Sequence, residues 1–184
     1  MAAHFDAAAR FDVPEIDAFT RPYWDAAAAG HLLLRRCGAC GRAHHYPREF
    51  CPHCWSEAVT WERASGRATL YTWSVVHRND LPPFGARTPY VAAVVDLEEG
   101  PRMMTEVVDC AEGALRVGMA LEVAFRTRGR QGTEGVRDAQ GARGSASTEG
   151  AVVIPVFRCS GVPVFRSSAD VPRGNGQGNL QGNR

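Results

Sequence analysis

The 184-residue chain is predicted to be mainly β, with one N-terminal helix, a zinc ribbon and a small closed barrel. Three observations carry that prediction. Two cysteine pairs, Cys37-Gly38-Ala39-Cys40 and Cys51-Pro52-His53-Cys54, stand ten residues apart. Ahead of them Ile16, Phe19, Tyr23, Trp24 and Ala27 recur at three- and four-residue steps, the period of an amphipathic helix. Behind them come short runs rich in Val, Thr and aromatic residues, separated by glycine and proline turns, the pattern of a small barrel.

The helix is expected over residues 16–30, after a flexible leader over residues 1–15, with Gly30 at the C-terminal cap position. Its aromatic face can pack on its own domain or meet a partner, and the sequence leaves both open. The ribbon is expected over residues 31–60, opening with a strand from His31 to Arg36. Each C-x-x-C turn lets two thiolates point at one centre. Two such turns supply four sulfurs at tetrahedral corners, each about 2.3 Å from a Zn²⁺. Gly41 suits the turn after the first pair because glycine reaches positive φ without steric cost, and Pro52 pre-sets φ in the second. Cys37, Cys40, Cys51 and Cys54 are therefore the expected metal ligands, for one structural ion. Four thiolates close the coordination sphere, so the metal would hold structure and not activate water. His44 and His45 are expected to be surface or packing residues, since four cysteines already complete the site.

Barrel strands are expected at Arg67–Val76, Tyr90–Leu97, Arg102–Val108, Ala120–Arg126 and Ala151–Arg158, with a short strand at Thr60–Glu62 before the Ser65-Gly66 turn. Leu115–Met119 reads as a turn or short helical piece. These place the barrel at residues 61–166, interrupted over 127–150 by a Gly-, Arg-, Ser- and Glu-rich stretch expected to be disordered. The Gly- and Asn-rich residues 167–184 are expected to be a disordered tail.

Charge argues against a nucleic-acid groove. All 21 basic residues are arginine and the formal net charge is +1. The ribbon is locally +3, with Arg35, Arg36, Arg42 and Arg48 against Glu49. From Trp55 to Phe125, however, six arginines face ten acids, giving −4 over the barrel, whereas a groove tracking phosphates should be positive. Strand aromatics such as Tyr71 and Trp73 keep a nucleic-acid-binding zinc-ribbon/barrel protein as the alternative reading. No catalytic constellation is visible. Cys110 and Cys159 lie in no motif that would activate a nucleophile, Ser65 has no elbow around it, and Asp96, Glu98 and Glu99 flank a Gly-Pro turn as solvated acids would. No signal-peptide pattern and no apolar run long enough to span a membrane is seen, and free thiolates suit a reducing compartment, so a cytoplasmic location is expected.

Several stretches occur in an order that resembles a known family. They are Tyr23-Trp24-Asp25-Ala26 with Gly30-His31-Leu32, Arg36-Cys37-Gly38-Ala39-Cys40-Gly41, Tyr46-Pro47-Arg48, Cys51-Pro52-His53-Cys54, Trp61-Glu62-Arg63-Ala64-Ser65-Gly66, Pro89-Tyr90-Val91-Ala92 and Val117-Gly118-Met119. The family joins an N-terminal helix, a rubredoxin-like zinc ribbon and an OB-fold barrel, and was formerly catalogued as domain of unknown function thirty-five (DUF35). The resemblance implies a five-stranded OB-fold. It also implies a non-catalytic accessory subunit in a hetero-oligomer with a thiolase-like enzyme acting on acyl-CoA thioesters (a thiolase, acyltransferase or aldolase complex). The partner would carry the catalytic cysteine and histidine. The accessory chain would support assembly and share in binding a coenzyme A thioester. The stretch over 127–150 and the Gly/Asn tail depart from the family's compact ending and put the last barrel strand in question.

Overall fold

The computed structural model describes residues 14–128, the backbone of 135–138, and residues 152–160. The expected leader up to residue 13 and tail over 167–184 lie outside the described residues.

Helix α1 is Arg21–Ala28, shorter than the periodicity suggested. Ile16 and Phe19 fit the helical period, but a turn precedes the helix instead. The Asp17 carboxylate accepts the backbone N–H of Thr20 at 2.6 Å and its hydroxyl at 2.7 Å, and a proline occupies the first turn. Proline belongs there because the N–H it lacks would have no helical partner. At the other end Gly30 sits at φ +80, with Gly30 N–H bonding Ala27 O and His31 N–H bonding Ala26 O, a Schellman closure.

The ribbon sheet has the order β2-β1-β3, with β1 at Leu33–Cys37, β2 at Ala43–His44 and β3 at Val59–Arg63. The barrel strands are β4 (Arg67–Val76), β5 (Tyr90–Leu97), β6 (Arg102–Val108), β7 (Ala120–Arg128) and β9 (Val152–Cys159). They close in the order β4-β5-β6-β9-β7, with β7 returning to β4. A bulge between Leu70 and Thr72 bends β4, as barrel closure requires. The β6–β9 seam is parallel and pairs only Val107↔Phe157 and Val108↔Arg158, while β7–β9 pairs over eight residues.

The stretch over 127–150, expected to be disordered, departs from that expectation in part. Strand β7 runs on to Arg128, and β8 (Gly135–Asp138) pairs antiparallel with Ala124–Thr127. Ladder hydrogen bonds to an existing edge hold a strand whose composition offers little apolar surface. The stretch's other residues lie outside the described ones. A single core unites the three parts. Tyr23, Ala27, Leu32 and Leu34 from the helix and ribbon join Leu70, Val95, Leu121 and Phe157 from the barrel in one buried cluster. The helix therefore buries Tyr23 and Ala27 within its own chain, while Phe19 and Trp24 of the same aromatic face are half-buried.

Candidate metal centre and its surroundings

Strand β1 ends in Cys37, so the first ligand is positioned by a sheet and the next three by turns. The two turns are built alike. Gly41 N–H bonds Cys37 O and Trp55 N–H bonds Cys51 O, each at 2.9 Å. Each of these fifth residues takes a positive φ, +72 at Gly41 and +64 at Trp55. Sequence reasoning anticipated the glycine but not the tryptophan, which accepts the strained backbone where glycine would be easier.

The four sulfurs all lie within 4.8 Å of one another, with Cys37 Sγ 3.6 Å from Cys54 Sγ and Cys40 Sγ 3.7 Å from Cys51 Sγ. A tetrahedron with zinc–sulfur distances of about 2.3 Å has sulfur–sulfur edges of about 3.8 Å. The donor set thus fits Zn²⁺ in both chemistry and spacing. Backbone N–H groups support the thiolates: Cys40 N–H points at Cys37 Sγ (3.5 Å) and His53 N–H at Cys51 Sγ (3.4 Å). The Cys40 N–H is the main reason that the Cys37 thiol is held down to about 6. Cys37 and Cys51 are buried while Cys40 and Cys54 are exposed.

The neighbouring histidines stay out of this cluster. His44 is buried at 3% exposure. His45 meets the Tyr23 hydroxyl through Nε2 at 3.3 Å, and burial, reinforced by His44, pushes its pKa down to about 4, so it is neutral at pH 7. The basic surface of the ribbon is smaller than its composition suggests. Arg35 is buried, its guanidinium 4.7 Å from the Trp61 ring centroid and 5.5 Å from that of Phe19. Arg36 forms a fork with Glu62 at 2.6 and 2.7 Å and also donates to Gly41 O. Arg42 and Arg48 remain exposed.

The acids of the β5–β6 turn serve structure. Asp96 pairs with Arg102, Glu98 with Arg67, and Glu99 accepts the Ser65 N–H at 2.6 Å. Arg102 also lies 3.5 Å above the Tyr71 ring, occupying one of its two faces. Cys110 and Cys159, which lie in no nucleophile-activating motif, pack at the core cluster and are joined in a disulfide across 49 positions, with Cα atoms 5.7 Å apart. Sequence reasoning also missed an ion cluster on the outer barrel wall, where Glu106 collects Arg87, Arg126 and Arg128. The alternation of Arg126 and Arg128 along β7 put them on one face, but their partner on β6 lies two strands away across β9.

A ribbon of four clustered cysteines joined by a shared core to a five-stranded barrel defines a zinc-ribbon/OB-fold protein. Residues 24–60 match the ChsH2 rubredoxin-like zinc ribbon domain and residues 61–126 the ChsH2 C-terminal OB-fold domain. A DUF35 domain-containing scaffold protein of Methanocaldococcus jannaschii is 38% identical over 108 residues, 57% of this chain and 74% of that protein. The chain belongs to this family, the DUF35 or ChsH2-like proteins. The benzoylsuccinyl-CoA thiolase subunit BbsA of Geobacter metallireducens is 33% identical over 77 residues, 42% of this chain and half of that protein. A solved Ltp2-ChsH2(DUF35) aldolase contains a chain that is 29% identical, with a TM-score of 0.59, covering 79% of this chain and 98% of that one. No helix among the described residues is long and apolar enough to cross a membrane.

Proposed function

We propose that this protein is a non-catalytic accessory subunit that binds a thiolase-fold enzyme acting on acyl-CoA thioesters and supports its assembly as a hetero-oligomer in the cytoplasm. The observation that carries the reading is the pairing of two relatives. One is named as a thiolase subunit, and the other is solved within an aldolase whose name joins it to a second protein. Cys37, Cys40, Cys51 and Cys54 hold one structural Zn²⁺ in this proposal, and the closed four-thiolate sphere supplies rigidity to the ribbon and no chemistry. The partner performs the reaction, and a coenzyme A thioester is shared with it.

The ribbon offers a surface suited to such docking. Trp55 is 74% exposed and stacks on Phe50 with ring centroids 5.1 Å apart, and Tyr46 is 54% exposed nearby in sequence. Exposed aromatics of this kind are enriched at the energetic centres of interfaces. The test is purification of the tagged chain from its native host, with the co-purifying proteins identified by mass spectrometry. A thiolase-like protein in near-equal amount is the expected result. Recovery of nucleic acid or transcription proteins instead refutes the proposal, as does turnover of acyl-CoA by the isolated chain.

A further inference from the structure

Strand β9 closes the barrel through two unequal joints. It pairs with β7 over eight residues, but with β6 only at Val107↔Phe157 and Val108↔Arg158. No other joint of the barrel has so few pairs among the described residues. Ahead of those two pairs the strands run without a ladder, and residues 103–106 on β6 and 154–156 on β9 line a cavity of about 530 Å³ beside α1. Past the pairs, Cys110 follows Val108 by two residues and Cys159 comes directly after Arg158. The disulfide between them therefore crosses the weakest joint of the barrel at its closed end.

Both redox states of this pair fit the fold. Cys159 is 7% exposed and belongs to the core cluster, and the half-buried Cys110 packs against it. A neutral thiol behaves as a small hydrophobe with a weak donor, so reduction leaves no charge stranded in the core. The Cα separation of 5.7 Å is the ordinary span of the bond, so oxidation needs no backbone movement. Access is one-sided: Cys110 sits between the exposed Asp109 and Ala111, so an incoming thiolate meets its sulfur before that of Cys159.

The metal centre sets the conditions in which the pair works. Four thiolates free to hold Zn²⁺ persist in a reducing compartment, where purely structural disulfides are rare and those that form are mostly catalytic or redox-sensing. We propose that Cys110 and Cys159 form a reversible redox clip that fastens the β6–β9 seam and exchanges with a small thiol such as glutathione. In the opening direction a glutathione thiolate attacks Cys110 Sγ, the bond to Cys159 breaks, and its electron pair goes to Cys159 Sγ, which takes a proton. A second glutathione thiolate attacks the glutathione sulfur of the mixed disulfide and releases Cys110, which is protonated in turn. Two cysteine thiols and one glutathione disulfide result, and closing runs the same steps backward. The proposal rests on the four-thiolate site and not on the enzyme partner.

The experiment equilibrates the full-length, zinc-loaded chain in glutathione buffers from oxidised to reduced, with bound zinc checked at each step. Free thiols are then trapped with N-ethylmaleimide in denaturant and chelator and counted by mass spectrometry. Of the six cysteines, the four in the ribbon label in either state, so four labels mark the closed clip and six the open one. The count should pass from four to six within the series. On opening, hydrogen exchange should speed by about tenfold or more at residues 106–110 and 156–159, with the ribbon strands unchanged. Tm should fall by about 8–16 °C, the loss expected on releasing a loop of 49 residues in a chain of this size. Cys110→Ala should show the open-state exchange in every buffer, and the wild-type titration stands alone if that variant fails to fold. A count fixed at four or at six across the series, or seam exchange that is the same in both states, overturns the proposal.

Discussion

The Ser65-Gly66 turn joins the ribbon to the barrel, and Gly66→Ala probes it directly. Gly66 has φ +79, and a Cβ built there would lie 2.6 Å from Val123 Cγ1. The glycine cannot retreat, because its carbonyl accepts the Val123 N–H at 2.8 Å and Val123 is itself buried. Two costs add. A non-glycine residue in the left-handed region costs about 1–2 kcal/mol, and forcing a methyl into a packed contact costs about 1–3 kcal/mol. Gly118 separates the two, since its φ is +81 but nothing lies within 4 Å of its would-be Cβ. Gly118→Ala should therefore carry the backbone cost alone, and Gly66→Ala should be worse by about 1–3 kcal/mol. For a chain of this size the difference corresponds to a further fall in Tm of about 2–4 °C per kcal/mol. The assay is thermal unfolding of both variants, with Gly66→Ala repeated in a Val123→Ala background. There the contact is removed, and the excess should shrink by double-mutant coupling. Equal losses at the two glycines, or an excess that persists without the valine side chain, would refute the reasoning.

Two further predictions concern the ribbon and its neighbour. Cys51→Ser removes a fully buried member of the thiolate cluster, so bound zinc, measured by atomic emission, should fall well below one equivalent and the ribbon should lose solubility or protease resistance. Retention of stoichiometric zinc in a soluble variant would contradict the four-thiolate site. His45 titrates near 4 in the fold, against about 6.5 for an unperturbed histidine. Between those values the unfolded chain binds more protons than the folded one, so stability rises with pH across that window. It is lost as pH falls, by roughly 3 kcal/mol over the full span. His45→Gln should flatten this dependence relative to wild type. Urea unfolding of both at each pH from 7 to 4 measures it, and the comparison removes losses common to the two, including acid release of zinc. Parallel curves would show that His45 is not the titrating group.

The strands that sequence placed best are those whose fate is local. Arg67–Val76, Tyr90–Leu97 and Arg102–Val108 appear with the expected bounds because alternation sets their faces and glycine, proline or acidic turns end them. The four cysteines were equally legible, since two C-x-x-C turns bring the sulfurs together whatever the rest of the chain does. Hydrophobic period alone overran the helix, because Ile16 and Phe19 satisfy the period while the Asp17–Thr20 turn satisfies the backbone in another way. Strand β8 escaped notice for the opposite reason, since an edge ladder to β7, not an apolar face, defines it.

What the sequence hid is what the topology assembles. Cys110 and Cys159 meet because both leave the short parallel β6–β9 seam on the same side, a neighbour relation that nothing local encodes. The same strand order sets Glu106 on β6 and Arg126 on β7 either side of β9, close enough for a 2.7 Å ion pair. Arg87 completes that cluster from the loop between β4 and β5. The cavity follows from these placements, because α1 and the ribbon loop roof a barrel face that already carries buried charge. In this fold the metal centre is written in adjacent residues, whereas the Glu106 ion cluster exists only once the barrel closes and sets β6, β9 and β7 side by side.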